Sequence, residues 1–262
     1  MTRSQISPDG CQGWDTYAPF YDWENARTLG RRDVGFWRRL AVTRGGPVLE
    51  LGCGTGRVLV PVAKTGVAIA GVDRSAPMLL RARRRLQSAG EVRAALVRAD
   101  IRDLPFARRF ALVMAPYGIV QSLTSDRDLK RTLDAVARVT VAGGLLAIDL
   151  VPDLTRWKEY RRRVTHSGRA RGARIALIES VRQDRKRGLT IFDEEYVEHR
   201  GASRRVHKFS LAFRTVSVPQ MTRRLERAGF RVDAVLGGYN GRAWDPRADV
   251  WLILATRVHT RQ

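Results

Sequence analysis

The sequence predicts an α/β protein whose doubly wound parallel sheet is interrupted by an antiparallel β insertion. Short apolar runs alternate with segments of helical periodicity between residues 48 and 150, as expected for strands buried between two layers of helices. A glycine-rich turn follows the first of these runs directly. After Asp149 the pattern changes to longer stretches rich in β-branched and aromatic residues, joined by polar turns, which indicates the insertion.

The first half of the parallel sheet is predicted from two strand and helix pairs. The run PVLEL gives the first strand, RVLVPVAKTG gives a helix that Gly66 ends, and VAIAGVD gives a second strand that ends at Asp73. Ser75 is placed to cap the next helix, with Pro77 in its first turn and Gly90 at its end. This order is typical of parallel strands joined by crossover helices.

The rest of the chain completes the α/β pattern around the insertion. VRAALVRAD, FALVMAP and LLAIDL predict three further strands, and the turn AGG separates the last of them from the helix DRDLKRTLDAVARV. ARIALIESV, LTIFDEEYVEH and RRVHKFSLAFR predict the strands of the insertion, and PQMTRRLERAGF, RVDAVLG and DVWLILATR return to the α/β pattern. The predicted domains are therefore an N-terminal helical segment (1–44), the α/β domain (45–154 and 216–262) and the insertion (155–215).

The glycine-rich turn is typical of a ligand-binding loop, because glycines let a ligand lie against the backbone where a parallel strand turns into a helix. Its spacing, G-x-G-x-G, differs from the G-x-G-x-x-G of dinucleotide folds. The preceding strand carries Glu50, an acid that is unfavourable beside a pyrophosphate and favourable beside a cation. Asp73, at the end of the second strand, is placed to accept hydrogen bonds from both hydroxyls of a ribose. A positively charged nucleoside is the predicted ligand.

Four motifs resemble those of the class I S-adenosylmethionine-dependent methyltransferases. They are LELGCGTG, GVDRSAPML, RADIRDLPF and FALVMAPYGIVQSL, in the family's order, and the resemblance covers residues 45–150, with the segment 216–257 following the family's topology. The resemblance implies a Rossmann-like sheet with an antiparallel last strand. It also implies S-adenosyl-L-methionine as cofactor and S-adenosyl-L-homocysteine as product.

The resemblance further implies which residues hold the cofactor. The set is Glu50, Gly52, Cys53, Gly54, Gly56, Asp73, Arg74, Met78, Asp100, Ile101 and Ala115. Within it, Glu50 and the glycine backbone would hold the methionine part, Asp73 the ribose and Asp100 the adenine amine. Met78 or Arg74 would flank the adenine, whose ring the Ile101 backbone would contact, and Ala115 would bound the sulfonium side. For Met78, core packing is the alternative interpretation.

Aromatic residues recur in the segments predicted to surround the acceptor. We predict positioning roles for Tyr17, Tyr21 and Tyr117, the first two because WDTYAPFYDW resembles the N-terminal lid of small-molecule members of the family. The alternative for this leader is that its aromatic residues only fasten an amphipathic helix to the core. In the insertion, His199 or His207 is a candidate base, with an ordinary place on a strand surface as the alternative.

The expected reaction is methylation of a small molecule at nitrogen. Displacement at a sulfonium needs alignment, exclusion of water and a route for one proton, and it needs no dedicated nucleophile. The motif loops hold no lysine or histidine to serve as the strong base that an aliphatic hydroxyl needs, and no metal-binding histidine pair occurs. Oxygen methylation of a weak acid and a non-catalytic cofactor-binding role stay open. The identity of the acceptor and the number of methyl groups added are not predicted.

Arginine dominates the charge of the chain. Lys and Arg together number 48 against 26 Asp and Glu, a formal charge of +22, and only five of the basic residues are lysines. Such a field attracts polyanions, so RNA methylation stays open as an alternative. We do not favour a nucleic-acid partner, because the arginines are scattered, no RNA-binding module is evident, and APYG replaces the Asn-Pro-Pro-Tyr of base-methylating members.

The same sequence gives expectations about compartment and assembly. No apolar run is long enough to cross a bilayer, the N-terminus lacks a secretory signal, and Cys11 and Cys53 are not expected to pair. We expect a soluble, cytoplasmic protein with no membrane partner, either a monomer or a homodimer.

Overall fold

The computed structural model describes residues 13–28, 32–107, 110–151 and 159–258, and within them the chain forms two compact units. The α/β unit contains the described residues of 32–120, 125–151 and 216–258. The antiparallel unit contains the described residues of 13–28, 121–124 and 159–215. The predicted N-terminal segment is thus divided, since its first helix belongs to the antiparallel unit and its second to the α/β unit. Residues 1–12 and the predicted boundary at 154–155 lie outside the described residues.

Seven strands and five helices form the described part of the α/β unit. The helices are α2 (Val34–Arg44), α3 (Leu59–Ala63), α4 (Ala76–Gln87), α5 (Asp126–Val139) and α6 (Val218–Arg227). The strands are β1 (Val48–Leu51), β2 (Ile69–Asp73), β3 (Ala94–Arg98), β4 (Phe110–Ala115), β5 (Thr140–Leu150), β10 (Phe230–Leu236) and β11 (Trp251–Arg257).

The sheet of this unit has the order β10-β11-β5-β4-β1-β2-β3. The five strands from β5 to β3 are parallel, and β11 runs antiparallel to both β5 and β10. The core is built from apolar side chains of both faces, among them the fully buried Trp37, Leu59 and Met114. The predicted α/β fold with an antiparallel last strand is confirmed.

Local sequence signals fix the ends of the longer helices. The Ser75 side chain accepts a hydrogen bond from the Met78 N–H and so caps α4 as predicted, and Ser217 with Gln220 forms a capping box at the start of α6. The helix predicted over RVLVPVAKTG is only five residues long, because the residues before Leu59 belong to the turns of the glycine loop.

The predicted AGG turn before the fifth strand lies inside β5, which begins already at Thr140. Pairing with β4 moves from Phe110 with Thr140 to Leu112 with Leu145, so β5 carries extra residues at this point. Gly143 there has a φ of 74°, which glycine adopts without steric cost. The glycines therefore produce an irregularity within a strand and not its end.

The antiparallel unit contains α1 (Trp14–Asn25) and, among its described residues, a sheet of four strands. The strands are β6 (Tyr160–Ala170), β7 (Ala173–Asp184), β8 (Leu189–Arg200) and β9 (Ser203–Arg214). Each pairs antiparallel with the next in chain order. The sequence predicted the last three but missed β6, because this edge strand is mostly solvent-exposed and rich in arginine, as edge strands that avoid aggregation often are.

Aromatic contacts fasten α1 to one face of this sheet. Phe20 stacks on Tyr196 of β8 with 4.4 Å between ring centroids, and Tyr17 meets Phe209 of β9 edge to face at 5.1 Å.

None of the described helices is both long and apolar enough to span a bilayer.

Candidate functional site

Three predicted acids lie where β1, β2 and β3 end. Glu50 is the third of the four residues of β1, Asp73 is the last residue of β2, and Asp100 follows β3 by two residues. The three strands are parallel neighbours, so their carboxyl ends share one edge of the sheet. Ligands of open α/β sheets bind at this edge.

The glycine loop that follows β1 is held in a conformation suited to glycine. Gly52, Gly54 and Gly56 have φ values of 61°, 52° and 79°. A Cβ atom on Gly52 would lie 2.6 Å from the Ile119 side chain, and one on Gly56 would lie 3.3 Å from Ala82 of α4. The first glycine therefore allows a close loop contact and the third allows helix packing.

Cys53, between the first two glycines, faces the core. It is buried, and a Cβ atom on Gly71 of β2 would lie 2.8 Å from its sulfur. Burial, followed by the nearby Glu50 and Asp73, raises the pKa of its thiol well above the usual value. Cys53 is therefore an inert packing residue, and its predicted contact with the cofactor would come from its backbone.

Glu50 is the acid of this edge with an unsatisfied oxygen. It is only 2% exposed, and its Oε2 has no hydrogen-bond partner in the described structure. Burial raises the pKa of this carboxyl to about 8, although the Arg57 guanidinium opposes the shift. A buried carboxylate needs a compensating partner, and an ammonium group provides both charge and donors. The residue thus fits the amino group of an S-adenosylmethionine methionyl moiety.

Asp73 is fixed by the backbone around it. Its Oδ2 accepts a hydrogen bond from the Gly54 N–H at 2.9 Å and its Oδ1 accepts one from the Ser75 N–H at 2.8 Å. Desolvation raises its pKa against the effect of these bonds. Each carboxylate oxygen can accept a second hydrogen bond, so the group fits the two ribose hydroxyls.

Asp100 is engaged by a neighbouring arginine. The Arg102 guanidinium donates to its Oδ1 at 3.0 Å and to its Oδ2 at 2.6 Å, and the Arg102 N–H donates to Oδ1 at 2.8 Å. Desolvation alone would raise the pKa of Asp100, but these hydrogen bonds hold it below its usual value. The carboxylate retains acceptor capacity on Oδ2, where the adenine amine is predicted to bind.

The remaining predicted cofactor residues differ in exposure. Met78 is a buried residue of α4, Arg74 is exposed, Ile101 is half-buried, and Ala115 is fully buried at the end of β4. Burial of Met78 agrees with the core-packing alternative.

Sequence reasoning missed a clamp on the loop after β4. Asp149, near the end of β5, accepts hydrogen bonds from the Gly118 N–H and the Tyr239 hydroxyl, both at 2.7 Å. Tyr117 and Gly118 both have a φ of 63°, a left-handed conformation that is uncommon for tyrosine. Burial raises the pKa of Asp149 to about 6, although hydrogen bonds from the Gly118 and Tyr117 backbone and from the Tyr239 hydroxyl oppose the shift. The sequence did offer one signal for Asp149, which is its position at the end of an apolar strand, like that of Asp73.

A buried ion pair also supports the loop after β4, the loop that contains Tyr117. Arg57, directly after the glycine loop, donates to the fully buried Asp33 through two bonds of 2.5 and 2.8 Å. The Trp37 Nε1–H also donates to Asp33, at 3.2 Å. The Arg57 guanidinium lies over the Tyr117 ring, 5.3 Å from its centroid. Tyr117 is thus held by its backbone and its ring.

The clamp predicts unequal effects of two substitutions. We expect Asp149→Ala to lower the free energy of unfolding by about 2–4 kcal/mol, since it leaves both a buried N–H and the Tyr239 hydroxyl without their acceptor, and Tyr239→Phe to lower it by about 1 kcal/mol. Urea denaturation at pH 7.5 measures both, and the double variant should cost less than their sum. Equal effects of the two single changes, or strict additivity, would show that Asp149 does not act through these bonds.

The other two predicted tyrosines lie in the antiparallel unit. Tyr17 is buried, and its hydroxyl donates to the Glu24 carboxylate. Tyr21 is half-buried, with its ring centroid 6.1 Å from that of Tyr17. Among the candidate bases, the His207 ring contacts Phe20 and lies 3.8 Å from Glu198, and His199 is half-buried on β8. The positioning roles of the three tyrosines stay predictions.

Comparison with known proteins decides the family. Residues 48–144 match the family model described as a methyltransferase domain, and this range begins at β1 and includes the glycine loop, Asp73 and Asp100. Residues 48–144 therefore form a methyltransferase domain of the class I S-adenosylmethionine-dependent type. The family, its cofactor and the fold predicted from the four motifs are confirmed.

Individual relatives align with this chain over different lengths. It is 35% identical over 118 residues to the demethylmenaquinone methyltransferase of Tropheryma whipplei (strain Twist), covering 43% of this chain and 46% of that one. It is 26% identical over 208 residues to the dTDP-3-amino-3,6-dideoxy-alpha-D-glucopyranose N,N-dimethyltransferase of Streptomyces fradiae, covering 74% of each. The chain spans about half the length of the first curated relatives it matches.

Among solved structures, the sugar N-methyltransferase KedS8 from Streptoalloteichus sp ATCC 53650 shares the fold with a TM-score of 0.77. The identity is 19%, and the alignment covers 99% of each chain.

Proposed function

We propose that this methyltransferase transfers the methyl group of S-adenosylmethionine to a nitrogen atom of a small-molecule acceptor. The observation that carries the proposal is the alignment with the Streptomyces fradiae N,N-dimethyltransferase, which extends well beyond the common cofactor-binding region. The shared fold of KedS8, a sugar N-methyltransferase, over nearly the whole of both chains supports it. An amino group on a small, sugar-like molecule is therefore the acceptor class we favour.

The residues of the α/β unit would bind and orient the cofactor. S-adenosylmethionine, when bound, supplies an electrophilic methyl group on a sulfonium. Glu50 would pair with its amino group, Asp73 would accept from its ribose hydroxyls, and Asp100 would accept from its adenine amine. The Asp149 clamp keeps the Tyr117 loop in one conformation. Preorganised contacts of this kind lower the entropic cost of alignment, which is one part of the barrier to a direct displacement.

The chain's own contribution to the chemistry is then alignment and removal of one proton. An amine has a lone pair once it is neutral, so it needs a proton acceptor of modest strength, whereas an aliphatic hydroxyl needs a strong base. No histidine or lysine lies in the motif loops to act as that strong base. This difference favours nitrogen over an aliphatic hydroxyl oxygen as the acceptor atom.

Matched acceptor pairs test the proposal. We expect labelled methyl transfer from S-adenosylmethionine to amino sugars at least about tenfold faster than to the parent sugars that carry hydroxyl in place of the amine. The readout is labelled product resolved by chromatography, with Asp73→Ala as the inactive control. Faster transfer to phenols or carboxylic acids would establish oxygen methylation instead, and transfer only to RNA would contradict a small-molecule acceptor.

A further inference from the structure

A second buried carboxylate lies at the sheet edge where the cofactor is predicted to bind. Asp149, next to last in β5, is 1% exposed, and Glu50 of β1 is 2% exposed. The strand β4 lies between β1 and β5 and is parallel to both. Because parallel strands end at the same edge, both acids lie where ligands of open α/β sheets bind.

The strand register places the two acids on opposite sides of β4. Glu50 is the register partner of Met114. On the other side, Ala115 is the partner of Ile148, the residue directly before Asp149. Adjacent strands lie about 4.8 Å apart and successive residues of a strand about 3.3 Å. Asp149 is thus one strand and one residue away from Ala115, the residue predicted to bound the sulfonium side of the cofactor.

Neither Glu50 nor Asp149 is paired with a cation of the protein. The ion pairs among the described residues of the α/β unit include neither acid. Arg57 opposes the rise that burial causes in the pKa of Glu50, but its two short hydrogen bonds, of 2.5 and 2.8 Å, go to Asp33. Of these three buried acids, only Asp33 has an arginine as its direct partner in the described structure, although the chain has a formal charge of +22.

The hydrogen bonds of Asp149 do not require its charge. It accepts from the Gly118 N–H and from the Tyr239 hydroxyl, both at 2.7 Å. An asparagine there would accept from Gly118 through its oxygen and donate to the Tyr239 oxygen through its amide. A buried carboxylate has a larger desolvation penalty than a buried amide. The clamp on the Tyr117 loop therefore does not explain the negative charge, which indicates a second role for it.

The cofactor and its product differ in charge at one atom. S-adenosylmethionine carries an ammonium and a sulfonium, whereas S-adenosylhomocysteine keeps the ammonium and has a neutral thioether. Glu50 fits the ammonium, which leaves Asp149 as the buried acid on the sulfonium side. A carboxylate stabilises a nearby cation most strongly in a buried site, where solvent and salt screen the interaction little.

We propose that the charge of Asp149 makes the site selective for the sulfonium form of the cofactor, so that S-adenosylmethionine binds more tightly than S-adenosylhomocysteine. Asp149 acts through its electrostatic field and needs no contact with the sulfur. After methyl transfer, the site holds a product for which its affinity is lower than for the next cofactor molecule. This selectivity does not depend on which acceptor is methylated.

Asp149 carries its charge at a pH near 7.5. Burial raises the pKa of this carboxyl to about 6 against its hydrogen bonds, and the nearby Asp33 adds to the rise. The carboxyl is therefore mostly ionised at about pH 7.5. The other charged or titratable groups near Asp149 or its partners are Asp33, Glu50, Arg57 and Tyr239.

Calorimetric titration of the whole chain without an acceptor tests the proposal in the absence of turnover. The ligands are S-adenosylmethionine, S-adenosylhomocysteine and sinefungin, which carries an ammonium group in place of the sulfonium. We expect the wild type to bind S-adenosylmethionine at least about tenfold more tightly than S-adenosylhomocysteine. In Asp149→Asn, the affinities for S-adenosylmethionine and sinefungin should fall by about tenfold, and that for S-adenosylhomocysteine by less than about threefold.

Two control variants separate the charge of Asp149 from its hydrogen bonds and from the overall charge of the chain. Tyr239→Phe removes one hydrogen bond of Asp149 and keeps the carboxylate, so it should keep the preference of the wild type. Asp134→Asn removes the same charge from a side chain of α5 that is 49% exposed, where solvent screens it, and should also keep the preference.

The wild type gives a further test that needs no variant. Its preference for S-adenosylmethionine should change by less than about threefold between about 0.05 and 0.5 M salt, because a buried charge is poorly screened. A steep fall with salt would assign the preference to surface charge and overturn the proposal. Equal losses of all three ligands in Asp149→Asn, the same loss of preference in Tyr239→Phe, or S-adenosylhomocysteine bound as tightly as S-adenosylmethionine by the wild type would also overturn it.

Discussion

Asp73→Ala should abolish the stabilisation that S-adenosylhomocysteine gives to the wild-type protein. At a ligand concentration one hundred times the dissociation constant, binding to the folded state alone raises the free energy of unfolding by about 2.7 kcal/mol. The variant loses the predicted acceptor for both ribose hydroxyls and also the group that fixes the Gly54 and Ser75 N–H groups. The measurement is the melting temperature of each protein with and without the ligand.

Asp103→Ala is the matched control for this prediction. Asp103 lies three residues beyond Asp100, its side chain is 75% exposed, and its ion pair with Arg131 is long, at 3.6 Å. It should keep the full shift in melting temperature. A shift in Asp73→Ala equal to that of the wild type would remove Asp73 from the cofactor site, and a shift with a dinucleotide in place of S-adenosylhomocysteine would contradict the predicted ligand.

The ligand-free protein should lose stability as the pH rises, because of Glu50. Its pKa is about 8 in the folded state against an ordinary value of 4.5, so the folded protein holds a proton that the unfolded chain releases. The loss therefore begins near pH 4.5, grows with pH and is complete above pH 8. It amounts to at most about 5 kcal/mol in the free energy of unfolding. Urea denaturation between pH 5 and pH 9 follows it.

Glu50→Gln should remove the Glu50 contribution to this pH dependence, leaving the smaller one of Asp73 and Asp149, and should be more stable than the wild type at pH 8 while binding S-adenosylhomocysteine more weakly. The opposite signs for stability and binding separate a binding carboxylate from a structural one. Glu91→Gln, at an exposed acid of the same unit, should change neither property. A Glu50→Gln variant with the pH profile of the wild type would show that this carboxyl does not carry the effect.

Most of the fold follows from patterns that are local in the sequence. The strands β1, β2, β4 and β11 are apolar runs in a buried sheet, and α4 has its cap residue and its glycine stop in sequence. The exceptions have physical reasons. The edge strand β6 buries little apolar surface and so lacks the periodicity that marks a strand, and the glycines at the start of β5 break its pairing without ending it.

The candidate site likewise contains residues whose places follow from local sequence patterns and residues that only tertiary packing brings together. The places of Glu50 and Asp73 at one edge of the sheet were predictable, because each acid lies near the end of an apolar strand, while their roles toward the cofactor stay predictions. The Asp149 clamp, the Arg57 ion pair and the Glu24 hydrogen bond with Tyr196 join residues that are 90, 24 and 172 positions apart. No spacing in the sequence reports such pairs, because tertiary packing alone brings them together.

The place of β11 in the sheet has a consequence for biosynthesis. It is the last of the seven strands to leave the ribosome, yet it lies between β5 and β10 and pairs with both. Until residues 251–257 emerge, β5 has an open apolar edge and β10 lacks the strand with which it pairs. The nascent chain therefore exposes the unpaired edge of β5 while about a hundred further residues are synthesised. An unpaired strand edge is prone to aggregation, so chaperone binding should matter most during this interval.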